Sequence, residues 1–203
     1  MVRLVLATRN AHKVTELRRI LDAVAVPGGE PIELIGMDAY PEVEDVVETG
    51  VTFAQNALLK AHAVAQATGL PAIADDSGLA VDVLGGSPGV FSARWSGRHG
   101  DDVANLRLLL AQLSDVPDDH RQAHFACAAA FAQPEGKEQV EHGQLPGRLA
   151  REPRGSNGFG YDPILIPDGD TRTCAELSPA EKDAISHRGR AFRALATDLA
   201  GLL

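Results

Sequence analysis

The segment Ala74-Asp75-Asp76-Ser77-Gly78, set directly after the apolar run Pro71-Ala72-Ile73, constrains the chain more than any other. That run is short and apolar, and the flanking proline and glycine favour a buried strand over a helix. Two carboxylates, a hydroxyl and a glycine then stand at what reads as the carboxyl end of the strand. In α/β proteins ligands gather just beyond such an end, and this set of groups suits Mg²⁺ and phosphate. Side chains alternate along a strand, so Asp75 and Asp76 are expected to point opposite ways if the pleat persists. Turn chemistry accounts for the same residues, since Asp, Ser and Gly are ordinary turn formers. The rest of the chain has to decide.

Charge narrows the partners. A net charge of −9 argues against a large interface with a nucleic acid polymer, although a pocket can still gather a few cations around phosphate. No apolar run is long enough to span a membrane, and the apolar start Met1–Ala7 is too short for a signal peptide, so a cytoplasmic protein is expected. Cys127 and Cys174 lie far apart without metal-ligand spacing and read as reduced, structural thiols. At 203 residues, 44% hydrophobic and 23% charged, the chain fits one soluble bilobal domain over residues 1–203 with an ample core.

Periodicity sets the elements around the acidic segment. Residues 2–7 read as a buried strand, and Ala11–Val24 as a helix with Val14, Leu17, Leu21 and Val24 on one face, stopped by Pro27-Gly28-Gly29. Ile32–Ile35 reads as a short strand, followed by acidic residues Glu42, Glu44, Asp45 and Glu48. A helix from about Thr52 to Thr68 buries Phe53, Ala57, Ala61, Val64 and Ala65 and ends at Gly69-Leu70-Pro71. Asp101 or Asp102 caps a helix through Leu113. Residues 121–132 and 138–150 form a hairpin about Pro134-Glu135-Gly136, and Tyr161–Ile166 suggests another strand. Ser178-Pro179-Ala180-Glu181 opens a helix that breaks around Ser186–Gly189, before a last helix carrying Phe192, Leu195, Ala196 and Leu199. A hairpin leaves no room for a βαβ crossover, so the fold is α/β with a mixed sheet.

Four further groups carry chemistry. Thr8-Arg9-Asn10-Ala11-His12-Lys13 is a strand-to-helix junction, where unpaired N–H groups and the helix dipole suit phosphate and Lys13 can reach back to it. The plainer alternative is that Asn10 caps the helix and Lys13 is a solvated lysine. Glu48 could join an aspartate of 75–76 in holding Mg²⁺, which takes one or two protein carboxylates; a solvated acidic loop is the other reading. Phe159-Gly160-Tyr161-Asp162, if extended, projects two rings from one face for stacking on a nucleobase, unless it simply begins a core strand. Lys182, His187 and Arg188 surround the expected helix break, where donors can converge on a ligand or complement a helix end.

Taken together these groups resemble one family. Ala7-Thr8-x-Asn10-x-x-Lys13, Phe53-x-x-Asn56-Ala57-x-x-Lys60-Ala61, Ala74-Asp75-Asp76-Ser77-Gly78-Leu79, Gly85-Gly86-x-Pro88-Gly89, Phe159-Gly160-Tyr161-Asp162-Pro163 and Ser186-His187-Arg188-Gly189 follow in order along the chain. The pattern is similar to the inosine triphosphate pyrophosphatase family, in its bacterial dITP/XTP pyrophosphatase branch. The resemblance implies an elongated mixed β-sheet flanked by helices, with two lobes and a nucleotide cleft between them. It implies Mg²⁺-dependent hydrolysis of purine nucleoside triphosphates with damaged bases (ITP, dITP, XTP) to the monophosphate and pyrophosphate, by a homodimer. By the motif, Asp76 is the catalytic base and metal ligand, with Glu48 as second ligand, and Ser77 touches substrate. Thr8, Arg9, Asn10, Ala11, His12 and Lys13 match the phosphate side. Phe159, Gly160, Tyr161, Asp162, Lys182, His187 and Arg188 match the base side.

The match has departures. Arg9 stands where many members have glycine, adding a candidate phosphate donor. Gln55 replaces a frequent glutamate, and Val47 stands where some relatives carry a second acid, so metal binding in that loop rests on Glu48. Two other readings stay open at this point: a Maf-like pyrophosphatase for other modified nucleotides, and a nucleotide-binding module without catalysis.

Overall fold

In the computed structural model, residues 2–22 and 32–202 are described. β1 (Val2–Leu6) runs parallel to β2 (Ile32–Gly36), with Leu4 opposite Leu34, and parallel to β3 (Ala72–Val81) on its other side. A two-residue β4 (Ser87–Pro88) pairs antiparallel with the far half of β3. β5 (Gln122–Ala132) and β6 (Glu138–Leu149) form the hairpin, and β7 (Leu165–Pro167) lies antiparallel on β6. The sheet order is β2-β1-β3-β5-β6-β7. It is mixed, as the hairpin requires.

The helices are α1 (Ala11–Asp22), α2 (Phe53–Thr68), α3 (Asp102–Gln112), α4 (Pro179–Ile185) and α5 (His187–Leu202). Their ends follow local chemistry. Thr52 caps α2 by accepting the Gln55 N–H at 3.2 Å, and Gln55 answers by accepting the Val51 N–H at 2.8 Å. Gly69, at φ 67°, closes the helix in the left-handed region. Asp101 caps α3, and Ser178 and Glu181 form a reciprocal capping box on α4. The expected end of the first helix at Val24 and its stop at Pro27-Gly28-Gly29 lie outside the described residues. Among the described residues no helix is long and apolar enough to cross a membrane.

Three expectations need correction. β3 does not end at the acidic pair but runs ten residues through it to Val81, because Leu79 and Val81 are buried core residues and Ala80 pairs with Pro88. Gly78 permits this: a Cβ there would collide with Ser92 Oγ and the Gly89 carbonyl. The strand expected over Tyr161–Ile166 is confined to Leu165–Pro167. Gly158 (φ 74°) and Gly160 (φ 61°) adopt left-handed conformations, and the Asp162 carboxylate accepts the Phe159 N–H at 2.8 Å, so residues 158–164 turn instead of extending. The break between the last helices is Ser186 alone, so His187 and Arg188 belong to the first turn of α5.

The chain divides into two compact units. One takes the residues through Asp76, Cys127–Gly143 and the segment from His187 on. Its part of the sheet is covered on both faces. Leu4, Leu6, Ile73, Cys127 and Phe131 meet Leu17 and Ile20 of α1 and Phe192, Leu195 and Leu199 of α5. On the opposite face Val5, Ala72, Ala74, Ala128 and Ala130 meet Ala57, Ala61, Val64 and Ala65 of α2. The second unit, Ser77–Ala126 with Gln144–Ser186, packs α3 through Leu106 and Leu109 on Leu79, Val81, Phe125, Leu145 and Leu149. Arg121 is buried there and donates to the carbonyls of Leu113, Leu149 and Ala150, tying the end of α3 to the strand edge. Cys127 and Cys174 are buried and not disulfide-bonded, and burial raises both thiols, Cys174 to about 12.

Candidate active site

The pleat of β3 carries Asp75 and Asp76 to opposite faces. Asp75 follows Ile73 onto the face covered by α1 and α5. There Lys13 Nζ lies 2.9 Å from Oδ2, and Arg188 Nε donates to the same oxygen at 3.2 Å. Arg188 Nη1 donates in turn to Glu16 at 2.6 Å. All three of Asp75, Arg188 and Glu16 are buried. Burial favours protonation of Asp75, but Lys13, Arg188 and Lys60 outweigh it and hold the carboxyl well below the usual range. Asp75 is therefore a fixed anion that anchors Lys13.

Asp76 follows Ala74 onto the α2 face. Asn56 Nδ2 donates to its Oδ2 at 3.0 Å, and Lys60 Nζ lies 3.8 Å from its Oδ1 and 2.6 Å from Glu48 Oε1. Asn56 is wholly buried, and its Oδ1 accepts the Gly50 N–H at 2.8 Å. One carboxamide thus ties the end of the acidic loop to Asp76. Burial raises the Asp76 carboxyl above its ordinary value, Glu48 adds to that, and Lys60, Lys13 and Asn56 oppose it. Burial pushes the Lys60 ammonium down, yet Asp75, Asp76 and Glu48 together raise it.

The junction of β1 and α1 is held by its own side chains. Asn10 Oδ1 accepts the N–H groups of His12 and Lys13 at 3.0 and 3.2 Å, and Thr8 Oγ1 accepts that of Asn10 at 3.2 Å. Ala11 and His12 are exposed at the start of the helix. Arg9 works elsewhere: its guanidinium donates to the carbonyls of Met37, Tyr40 and Val43 and pairs with Asp45 at 3.1 Å. It clamps the segment that leads into the acidic loop.

Among the described residues no three of His, Cys, Asp and Glu form a metal cage. Glu48 and Asp76 flanking one ammonium do match the two carboxylates that Mg²⁺ commonly takes from a protein, the rest of its shell being water and phosphate.

The second unit holds a separate group. Lys182 Nζ lies 2.6 Å from Asp162 Oδ2 and 5.3 Å from the centroid of the Phe159 ring, and both Lys182 and Asp162 are buried. Gly160 N–H donates to Asp102 at 2.9 Å, which fixes the turn from α3. The Tyr161 ring belongs to the core, and its hydroxyl donates to the Ser92 carbonyl at 3.0 Å. Ser77 is half-buried where β3 enters this unit. The expected base-side set is accordingly divided: Phe159–Asp162 and Lys182 fall in this unit, His187 and Arg188 in the first. His187 is buried at the start of α5, its carbonyl against Gly143, where a Cβ would collide.

Sequence reading gave no role to Asn56, Lys60 and Glu16. A signal existed for the first two. They are four apart on α2, beside the buried stripe of Ala57 and Ala61, where polar groups are unexpected unless paired. Glu16 carried none, since its partner lies 172 residues away.

A mixed sheet flanked by helices, with a buried, charge-compensated carboxylate pair inside one strand, defines an α/β protein. The chain belongs to the Ham1 family, whose model matches residues 4–198. It is 70% identical over 195 residues to the dITP/XTP pyrophosphatase of Streptomyces avermitilis, covering 96% of each chain. Among solved structures it resembles the nucleoside-triphosphatase / dITP/XTP pyrophosphatase of Mycobacterium abscessus, with 55% identity, a TM-score of 0.77, and 96% of this chain and 98% of that one covered. It also resembles a HAM1 protein from Coxiella burnetii, with 42% identity, a TM-score of 0.87, and 99% and 100% covered.

Proposed function

We propose that this chain is an enzyme that hydrolyses purine nucleoside triphosphates with damaged bases (ITP, dITP, XTP) to the monophosphate and pyrophosphate. It acts in the cytoplasm as a homodimer of single bilobal domains. The observation that carries the reading is Asp76, buried and raised, between Asn56, Lys60 and Glu48, in a chain whose full-length relatives are named dITP/XTP pyrophosphatases.

Water attacks the α-phosphorus in line with departing pyrophosphate, so catalysis is mostly positioning and neutralisation of charge. Asp76 and Glu48 would hold Mg²⁺, which when bound neutralises phosphate oxygens. Asp76 accepts the proton of the attacking water. Lys13, anchored by Asp75, holds the triphosphate together with the side chains of Thr8 and Asn10. Ser77 donates its hydroxyl to substrate. Phe159 offers its ring to the purine, while Lys182 and Asp162 meet its polar edge. A donor facing the 6-oxo group favours hypoxanthine and xanthine over adenine. Arg188 serves as the positioning group for Asp75, and Tyr161 as a structural one.

Pyrophosphate release from ITP, dITP, XTP, ATP and GTP tests the reading. The first three are expected to be cleaved and ATP spared; release of orthophosphate, or no preference over ATP, overturns it. Asp76→Asn is expected to abolish turnover while nucleotide still binds, and near-normal turnover would remove Asp76 from the mechanism.

A further inference from the structure

Lys60 stands where a cation is required. Its ammonium contacts Glu48 Oε1 at 2.6 Å and lies 3.8 Å from Asp76 Oδ1, the two groups given above to the metal. The three side chains are mostly enclosed, 15%, 25% and 10% exposed for Lys60, Glu48 and Asp76. Two carboxylates in such a place stay ionised side by side only with positive charge between them. Asn56 adds constraint, because its carboxamide fixes both Asp76 and Gly50, two residues beyond Glu48. The carboxylates therefore remain near one another whether or not a metal is present. Lysine differs from arginine here: a compact charge on a flexible four-carbon stem can swing aside without dismantling a planar, multidentate contact.

A divalent ion taken by Glu48 and Asp76 would sit against that ammonium, and like charges at such separations repel. We infer that Lys60 is an internal stand-in for the metal: its ammonium neutralises Glu48 and Asp76 beforehand and must be displaced when the metal enters. The inference rests on the metal assignment of the proposed function. It gives α2 a task beyond packing, since one turn of this helix presents both the group that orients the carboxylates and the group that keeps them compensated. It also makes low affinity for the metal alone a built-in property, because entry of the ion costs the Lys60–Glu48 contact.

The test is Mn²⁺ binding to the metal-free full chain, followed by electron paramagnetic resonance without nucleotide. Lys60→Met and Lys60→Gln are expected to bind Mn²⁺ about tenfold more tightly than the wild type, having lost the competitor. Their metal-free forms are expected to melt lower than the wild type, and saturating Mn²⁺ is expected to remove that difference. In the wild type, the ¹⁵N resonance of the Lys60 ammonium is expected to shift on saturation with Mg²⁺. An unshifted resonance overturns the inference without recourse to any variant. Equal or weaker Mn²⁺ binding by the lysine variants, with binding lost in Glu48→Gln, overturns the stand-in and leaves the metal assignment intact. No Mn²⁺ binding by any form overturns both.

Discussion

Replacing Arg188 with leucine tests the buried network directly. The guanidinium donates to Glu16 at 2.6 Å and to Asp75 at 3.2 Å, and the three side chains are only 2%, 4% and 0% exposed in that order. Leucine would leave Glu16 without that donor and Asp75 with Lys13 as its nearest cation. Removing one partner of a buried ion pair costs about 3–5 kcal/mol, because the remaining charge stays desolvated. For a chain of this size each kcal/mol moves the melting temperature by roughly 2–4 °C, so a fall of about 6–20 °C is expected. The pH dependence has a defined sign. In the wild type the Asp75 carboxyl is depressed, so its contribution is complete above the unfolded-state value and is lost only as pH falls through the lower folded-state value. In the variant the desolvated carboxyl has lost a cation and rises, so protonation relieves the strain of burial as pH falls. The gap between variant and wild type should therefore narrow as pH falls below the unfolded-state carboxylate value of about 4. Thermal unfolding by circular dichroism at about pH 7 and about pH 3.5 measures it, with Arg188→Leu/Glu16→Leu as a partner that should recover part of the loss. A variant melting within about 2 °C of the wild type would refute the counter-ion role. So would a gap independent of pH.

Asn56→Asp sets a carboxylate oxygen where Asp76 Oδ2 now receives a donor, and a 10–100-fold loss of kcat/KM for ITP is expected. Activity within twofold of wild type, measured as pyrophosphate release, would show that the carboxamide orients nothing that matters. Tyr161→Phe removes one buried hydrogen bond, to the Ser92 carbonyl, and should cost about 1 kcal/mol of stability while KM for ITP stays within twofold. A KM raised tenfold would make Tyr161 a substrate contact after all.

Sequence reading reached the elements whose causes are local. Helix starts near Thr52, at Asp101 or Asp102 and at Ser178 were legible because capping needs only neighbours within a few residues. Ser178 caps as expected, Asp101 is the cap of the two aspartates, and Thr52 proves to be a cap rather than the expected first residue of its helix. The alternation of Asp75 and Asp76 was legible for the same reason, as a property of one strand. The extent of β3 was not, because what carries the strand past Ser77 is pairing with residues 87–88 and the buried contacts of Leu79 and Val81. Phe159-Gly160-Tyr161 alternates like a strand in sequence, but positive φ at Gly158 and Gly160 decides otherwise, and composition does not show it. Arg9 and Arg188 were misjudged in their surroundings. As sequence they are donors near a phosphate loop and a helix break; in the fold their partners are carbonyls at 37–43 and carboxylates at 16 and 75. Long-range ion pairs leave no spacing to read.

The alanine-lined face of the sheet serves as a gauge for the chemistry beside it. Ala57, Ala61 and Ala65 leave room only for small partners, and β3 presents Ala72 and Ala74 to them while Ile73 goes to the other face. A slip of one residue would push the isoleucine into that narrow seam and exchange the two carboxylates. Asp75 would then face Lys60, and Asp76 would face Lys13 and Arg188. A row of methyl groups, chemically inert, thereby decides which aspartate becomes the fixed anion and which lies beside Lys60 and Asn56.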